Sequence, residues 1–178
     1  DSKYPIWFGK VTAGEINAGM PYEKYIKAVT GFLWRGHLNR IGTEHLMFEA
    51  GKIWSDGTLP ISRLFAGNGY KYDARYLYSL YGFGGIMTLF PYEVYTDRFA
   101  QAIFRHDMDW KLYKLESPLY DLSSAPNIAL QYGVIYGGLM NAAAHQSIDI
   151  MVPSKGYHEA GMLLNNLIRL RFSSYYQT

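Results

Sequence analysis

A chain of 178 residues, 49% hydrophobic, 17% aromatic and 18% charged, is long enough for one domain with a sizeable core. It is poor in charge against the roughly 25% of an average soluble domain. Its formal net charge of +2 is scattered rather than blocked, which argues against a nucleic-acid partner, and zero cysteines exclude a disulfide scaffold and a thiolate metal site without fixing the compartment.

No stretch approaches the roughly 18 consecutive apolar residues of a membrane-spanning helix. The opening DSKYPIWFGK lacks the basic-then-apolar order of a signal peptide. A membrane role would therefore be carried by strands. No fixed-period repeat, low-complexity run or block of like charge divides the chain, so residues 1–178 read as one β-rich unit of six to nine strands.

In chain order, KYIKAVTGFLW (Lys24 to Trp34) is the first clear strand candidate, the two chain ends being weaker ones. HLMFEAGKIW follows, with His45, Met47, Glu49, Gly51 and Ile53 on one face and Leu46, Phe48, Ala50, Lys52 and Trp54 on the other. His45 and Glu49 have the four-residue spacing of metal ligands on a helix. On a strand that spacing separates them by about 13 Å along one face, which favours two polar wall residues over a metal site.

Arg63 to Gly85, RLFAGNGYKYDARYLYSLYGFGG, holds five glycines and five tyrosines. Its glycines have neither the Walker spacing nor that of a dinucleotide fingerprint, so no phosphate or nucleotide cofactor is expected there or elsewhere. It reads as a long loop carrying Arg63, Lys71, Asp73 and Arg75. GGIMTLF (Gly84 to Phe90) is a further strand candidate. In TDRFAQAIFRH, Phe99, Gln101, Ile103 and Arg105 oppose Arg98, Ala100, Ala102, Phe104 and His106.

RHDMD groups Arg105, His106, Asp107 and Asp109, which could bind a divalent ion or exchange protons but equally describe a charged strand end. No serine sits in a nucleophile elbow, and no catalytic residue is expected.

The cleanest alternation is IALQYGVIYGGLM, with Ile128, Leu130, Tyr132, Val134 and Tyr136 on one face and Ala129, Gln131, Gly133, Ile135 and Gly137 on the other. SIDIMV (Ser147 to Val152) is a short candidate. YHEAGMLLNNLIRLRF places Ala160, Met162, Leu164, Ile168 and Leu170 opposite Glu159, Gly161, Asn165 and Arg169, long enough to cross a bilayer obliquely. The segments between strands carry turn residues, as in SDGTLP and PSKG.

Alternation of this kind fits a soluble sandwich, whose apolar face meets a core, or an outer-membrane barrel, whose apolar face meets lipid while the lumen takes polar and small residues. Tyrosines gathered near strand ends and in loops, as in PYEKY, PYEVY and SSYYQT, resemble an aromatic girdle, although a glycan-binding module also uses tyrosine freely. Trp34, Trp54 and Trp110 carry the same two readings.

Three ordered segments, LPISRLFAGNGYKYD, GGIMTLFPYEVYTDRFAQAIFRHDM and GYHEAGMLLNNLIRL, resemble the C-terminal part of a family of bacterial outer-membrane proteins of unassigned function that carry an N-terminal carboxypeptidase-like regulatory domain. The resemblance runs from about Trp34 to Leu170. More distantly, that barrel is similar to the surface-antigen type, which assembles or exports other proteins and in which a long loop folds into the lumen. The surface-antigen loop motif, arginine-glycine-aromatic, is not in Arg63 to Gly85, so that activity is not implied.

The resemblance implies an all-β, antiparallel transmembrane barrel, present as a C-terminal fragment without the regulatory domain, the first strands and the last strand. It implies a non-enzymatic structural, transport or assembly role in the outer membrane of a Gram-negative cell, with lipid and other outer-membrane subunits as partners. Ile128, Leu130, Val134, Met162, Leu164 and Ile168 are expected to face lipid. Glu49, Arg63, Asp73, Arg75, Arg105, Glu159 and Arg169 are expected to make lumen or loop contacts. The alternative is a soluble all-β module that binds glycan or a partner protein through exposed tyrosines.

Overall fold

The computed structural model describes residues 4–16, 23–38, 41–67, 85–86, 88–89, 92–111, 127–145 and 150–165. Their strands are β1 (Ile6–Ile16), β2 (Glu23–Leu38), β3 (Gly42–Ser55), β4 (Phe65–Ala66), β5 (Tyr95–Thr96), β6 (Arg98–Lys111), β7 (Asn127–Gly138) and β8 (Tyr157–Asn165). Six of them form one antiparallel sheet in the order β1-β2-β3-β6-β7-β8, and β4 and β5 form a separate ribbon. Consecutive long strands are thus neighbours, as antiparallel meanders require only hairpin connections. The fold is all-β. Among the described residues the sheet is open, with β1 and β8 as its edges.

The period-two alternation read from HLMFEAGKIW, TDRFAQAIFRH and IALQYGVIYGGLM is what the register aligns. One cross-strand row runs Trp7, Phe32, Phe48, Ala102, Val134 and His158. The row behind it, on the opposite face, runs Leu33, Met47, Ile103, Gly133 and Glu159. A one-residue slip in any strand would exchange the faces, so the pattern specifies the register. The ladder between β6 and β7 is regular from Arg98 to Asp107 and then shifts at a bulge before Lys111.

The two faces differ in what covers them. The β3–β6 connection returns over one face and seats its apolar side chains there in two clusters. Leu59, Leu64 and Phe65 pack with Tyr25 and Ile53, while Ile86, Leu89 and Val94 pack with Ile135. The β4–β5 ribbon pairs Phe65 with Thr96 and Ala66 with Tyr95, and Gly67 N donates to Val94 O at 2.8 Å. The β7–β8 connection adds a parallel bridge, Val94 to Met151, with Met151 N donating to Glu93 O at 3.0 Å. The core therefore lies between the sheet and this inserted layer.

Two expectations change here. The described residues of GGIMTLF, Gly85, Ile86, Thr88 and Leu89, lie in no strand but belong to the insert, where Ile86 and Leu89 are each 2% exposed. Their bulk is spent filling the space above the sheet instead of pairing along it. The tyrosines of PYEKY and PYEVY do not all lie at a rim: Tyr25 is buried and Tyr95 partly buried in the same cluster. Tyr92 is exposed, with a left-handed φ of 62° at the insert's turn. Within SIDIMV, Met151 takes part in the bridge, and Ser147 to Asp149 lie outside the described residues.

Candidate functional site

The covered face holds the charged and amide side chains of the strand interiors. From β1 to β8 it carries Lys10, Thr12, Lys27, Arg35, His45, Glu49, Gln101, Arg105, Asp107, Gln131 and Glu159, interleaved with small residues and with the apolar and aromatic side chains of the core, such as Tyr25, Met47, Ile53, Ile103 and Ile135. Those of the polar groups that are buried are tolerated only when bonded, and the strand register supplies partners for several.

Glu49 and Gln101 are cross-strand neighbours, and Gln101 Nε2 donates to Glu49 Oε2 at 2.8 Å. Asp107 divides its oxygens: Oδ1 accepts from Arg105 Nη2 at 2.6 Å and Nε at 3.0 Å, and Oδ2 lies 3.1 Å from His45 Nε2. His45 and Arg105 are themselves directly paired across β3 and β6. The arrangement spreads one carboxylate over two nitrogen bases and is a satisfied wall network of the charge-assisted kind.

Glu159 ties the insert to the sheet. It is 8% exposed, and its Oε2 accepts from the Thr88 backbone N at 2.7 Å and from Thr88 Oγ1 at 2.6 Å. The Thr88 hydroxyl also bonds the Tyr157 hydroxyl, two residues earlier on the same face of β8. Gln131 Nε2 reaches Gly85 O at 3.4 Å from the next strand. Replacing Thr88 by Val keeps the shape and removes the hydroxyl. Because Thr88 is itself exposed, the expected loss is about 1 to 2 kcal/mol, near the low end for bonds to charged groups. The urea midpoint of the Thr88→Val variant measures it.

Between the insert and β1, β2, β3 and β6 lies a cavity of about 500 Å³. Lys10, Lys27, Glu49, Arg63 and Gln101 line it together with Phe8, Tyr25, Phe65 and Phe99.

The opposite, bare face is apolar and unoccupied by any described segment. Val11 is 74% exposed, Trp7 70% and Met162 65%, with Ile26, Phe48, Phe104, Leu130 and Leu164 also exposed. Aromatic rings tile it: Trp7 and Phe32 centroids are 5.0 Å apart, Phe32 and Phe48 5.9 Å. Charged groups on this face sit near the strand ends, as in the Lys24–Glu15 pair at 3.6 Å and the His106–Glu44 pair at 3.7 Å, while mid-strand Thr30 donates its hydroxyl to Phe8 O at 3.2 Å. His158 accepts or donates at both ring nitrogens, 2.8 Å from the Tyr132 hydroxyl and 3.1 Å from that of Tyr136.

Of the residues named from sequence, Glu49, Arg105 and Glu159 share the covered face, and Arg63 ends a short 3-10 turn in the insert above it. Ile128, Leu130, Val134, Met162 and Leu164 share the bare face. Asp73, Arg75, Arg169 and Ile168 lie outside the described residues. His45 and Glu49 are on one strand face with separate partners, and His106 points away from Arg105 and Asp107, so RHDMD divides between the two faces. Lys10 and Lys27 had no signal in sequence spacing; they meet Arg63 only because the insert folds back.

Comparison with protein-family models, curated proteins and solved structures finds no match in any of the three.

Proposed function

We propose that the chain forms part of a transmembrane β-barrel in a Gram-negative outer membrane, with a non-enzymatic structural, transport or assembly role, and that it belongs with the outer-membrane proteins its sequence resembles. The observation that carries this reading is where the polar groups lie: the charged and amide side chains of the strand interiors are on the face under the insert, beside its apolar clusters, and the face left bare is apolar away from the strand ends. A water-facing sheet has the reverse arrangement, polar outside and apolar beneath its cover. A barrel in lipid has this one, with the bare face meeting hydrocarbon and the insert lying in the lumen.

Strand length supports the same reading. The six long strands have 11, 16, 14, 14, 12 and 9 residues, at or above the about 9–11 that cross a bilayer at a tilt. In this reading further strands continue the ladder from the edges of β1 and β8, since unpaired backbone groups in hydrocarbon each cost several kcal/mol. Lipid is the partner of the bare face.

The second reading, a soluble binding module, is favoured by one observation: the two apolar clusters under the insert would give a two-layer domain a core of its own. The test separates them. The protein is refolded with and without phospholipid vesicles and followed by circular dichroism and urea titration. The expected outcome is a cooperative transition only when lipid is present. A monomer that unfolds cooperatively in lipid-free buffer overturns the barrel and leaves the soluble module.

A further inference from the structure

The cavity of about 500 Å³ under the insert falls within the about 300–1,000 Å³ of small-molecule sites, and its lining is unbalanced in charge. Among the described residues three cationic side chains, Lys10, Lys27 and Arg63, face it against one carboxylate, Glu49, which already accepts from Gln101. Among the described residues no carboxylate pairs with Lys10 or Arg63. Lys27 has weak local company: its Nζ lies 3.4 Å from Leu64 O and 4.1 Å from the Phe65 ring centroid. Lys10 and Lys27 are diagonal neighbours on one face, Lys10 opposite Val29 and Lys27 opposite Thr12, so their like charges repel in the absence of a counter-ion. The rest of the described lining includes the rings of Phe8, Tyr25, Phe65 and Phe99 and the aliphatic Val29 and Ile135.

We propose that this cavity binds an organic anion, a carboxylate or phosphate monoester joined to an apolar or aromatic group. The anionic head takes the hydrogen-bond donors of Lys10, Lys27 and Arg63, which relieves their mutual repulsion, and the apolar part lies against the phenylalanine rings. The site exists where the insert meets the sheet, whichever solvent the bare face meets.

The test is isothermal titration of the full chain, folded in uncharged detergent or in buffer as the previous experiment dictates, at low ionic strength so that screening does not mask the charge contacts. The probes are phenylacetate, phenyl phosphate, neutral phenylacetamide and inorganic phosphate. Saturable binding of phenylacetate or phenyl phosphate is expected, at least tenfold tighter than phenylacetamide. Affinity should fall tenfold or more in the Lys10→Gln, Arg63→Gln double variant. Neither replaced side chain has a hydrogen-bond or ion-pair partner among the described residues, and the loss of the Lys10 charge relieves its repulsion of Lys27, so the variant should have a urea midpoint no lower than wild type, and that midpoint is recorded alongside. Equal affinity for phenylacetamide, unchanged affinity in the folded double variant, or no binding of either organic anion overturns the proposal. So does inorganic phosphate binding as tightly as phenyl phosphate, because the rings would then contribute nothing.

Discussion

Leu130→Arg is expected to cost about 1–3 kcal/mol of folding stability in a bilayer, between the loss for a cation on the lipid face at the membrane midplane and the smaller loss near the interface, because Leu130 lies beside His106 toward one end of the strands. Leu130 is 43% exposed in the interior of β7, directly across from Met162 on β8. No described segment closes over either side chain. In water, a substitution at so exposed a position would move stability by only about 0.5 kcal/mol. The same variant therefore gives two different numbers according to the solvent of the bare face. Urea unfolding from vesicles measures it, and a shift within about 0.5 kcal/mol would remove lipid from that face. Met162→Arg, on the neighbouring strand, is the matching control and should show a loss of similar size.

Ile86→Ala should cost about 2–5 kcal/mol, the usual range for emptying a fully buried aliphatic site. Ile86 is 2% exposed and packs with Leu89, Val94 and Ile135. It sits above Gly133 of β7, where a methyl group would come within 3.6 Å of its Cγ1 and 3.9 Å of Ile103 Cγ1. Those are ordinary contact distances. Gly133→Ala alone should thus be tolerated, and in the double variant the added methyl partly fills the space left by Ile86. The combined loss should be smaller than that of Ile86→Ala, and a urea-unfolding double-mutant cycle reads the difference. A loss below about 1 kcal/mol for the single variant would mean that the insert contributes little to the stability of the sheet.

The strands of this protein were legible because alternation has a short period and survives any choice of partner. Ile128, Leu130 and Val134 could be grouped on one face without knowing β6 or β8. What alternation does not carry is the identity of the medium beyond each face or which face is covered; both the soluble and the membrane readings use the same residues, and only the insert shows which face lies beneath a second layer. The insert itself was hidden because its contacts are few and distant. Ile86 and Leu89 have a strand's composition and a plug's position, and Tyr25 and Tyr95, placed beside prolines and strand ends, are core residues only because the β3–β6 connection returns. The cavity cations were invisible for the same reason.

The bond between Thr88 and Glu159 joins residues 71 positions apart. Every ladder of the large sheet, by contrast, pairs strands that follow one another along the chain, apart from the step over the insert. Closing a long loop costs entropy that grows with its length and must be met before the contact gives anything back. Thr88 cannot be fastened until β8 has joined the sheet. The two halves of the insert therefore differ in reach: Leu59, Leu64 and Phe65 rest on Tyr25 and Ile53 of the strands just before them, whereas the half that holds Thr88 is tied to the last described strand of the sheet.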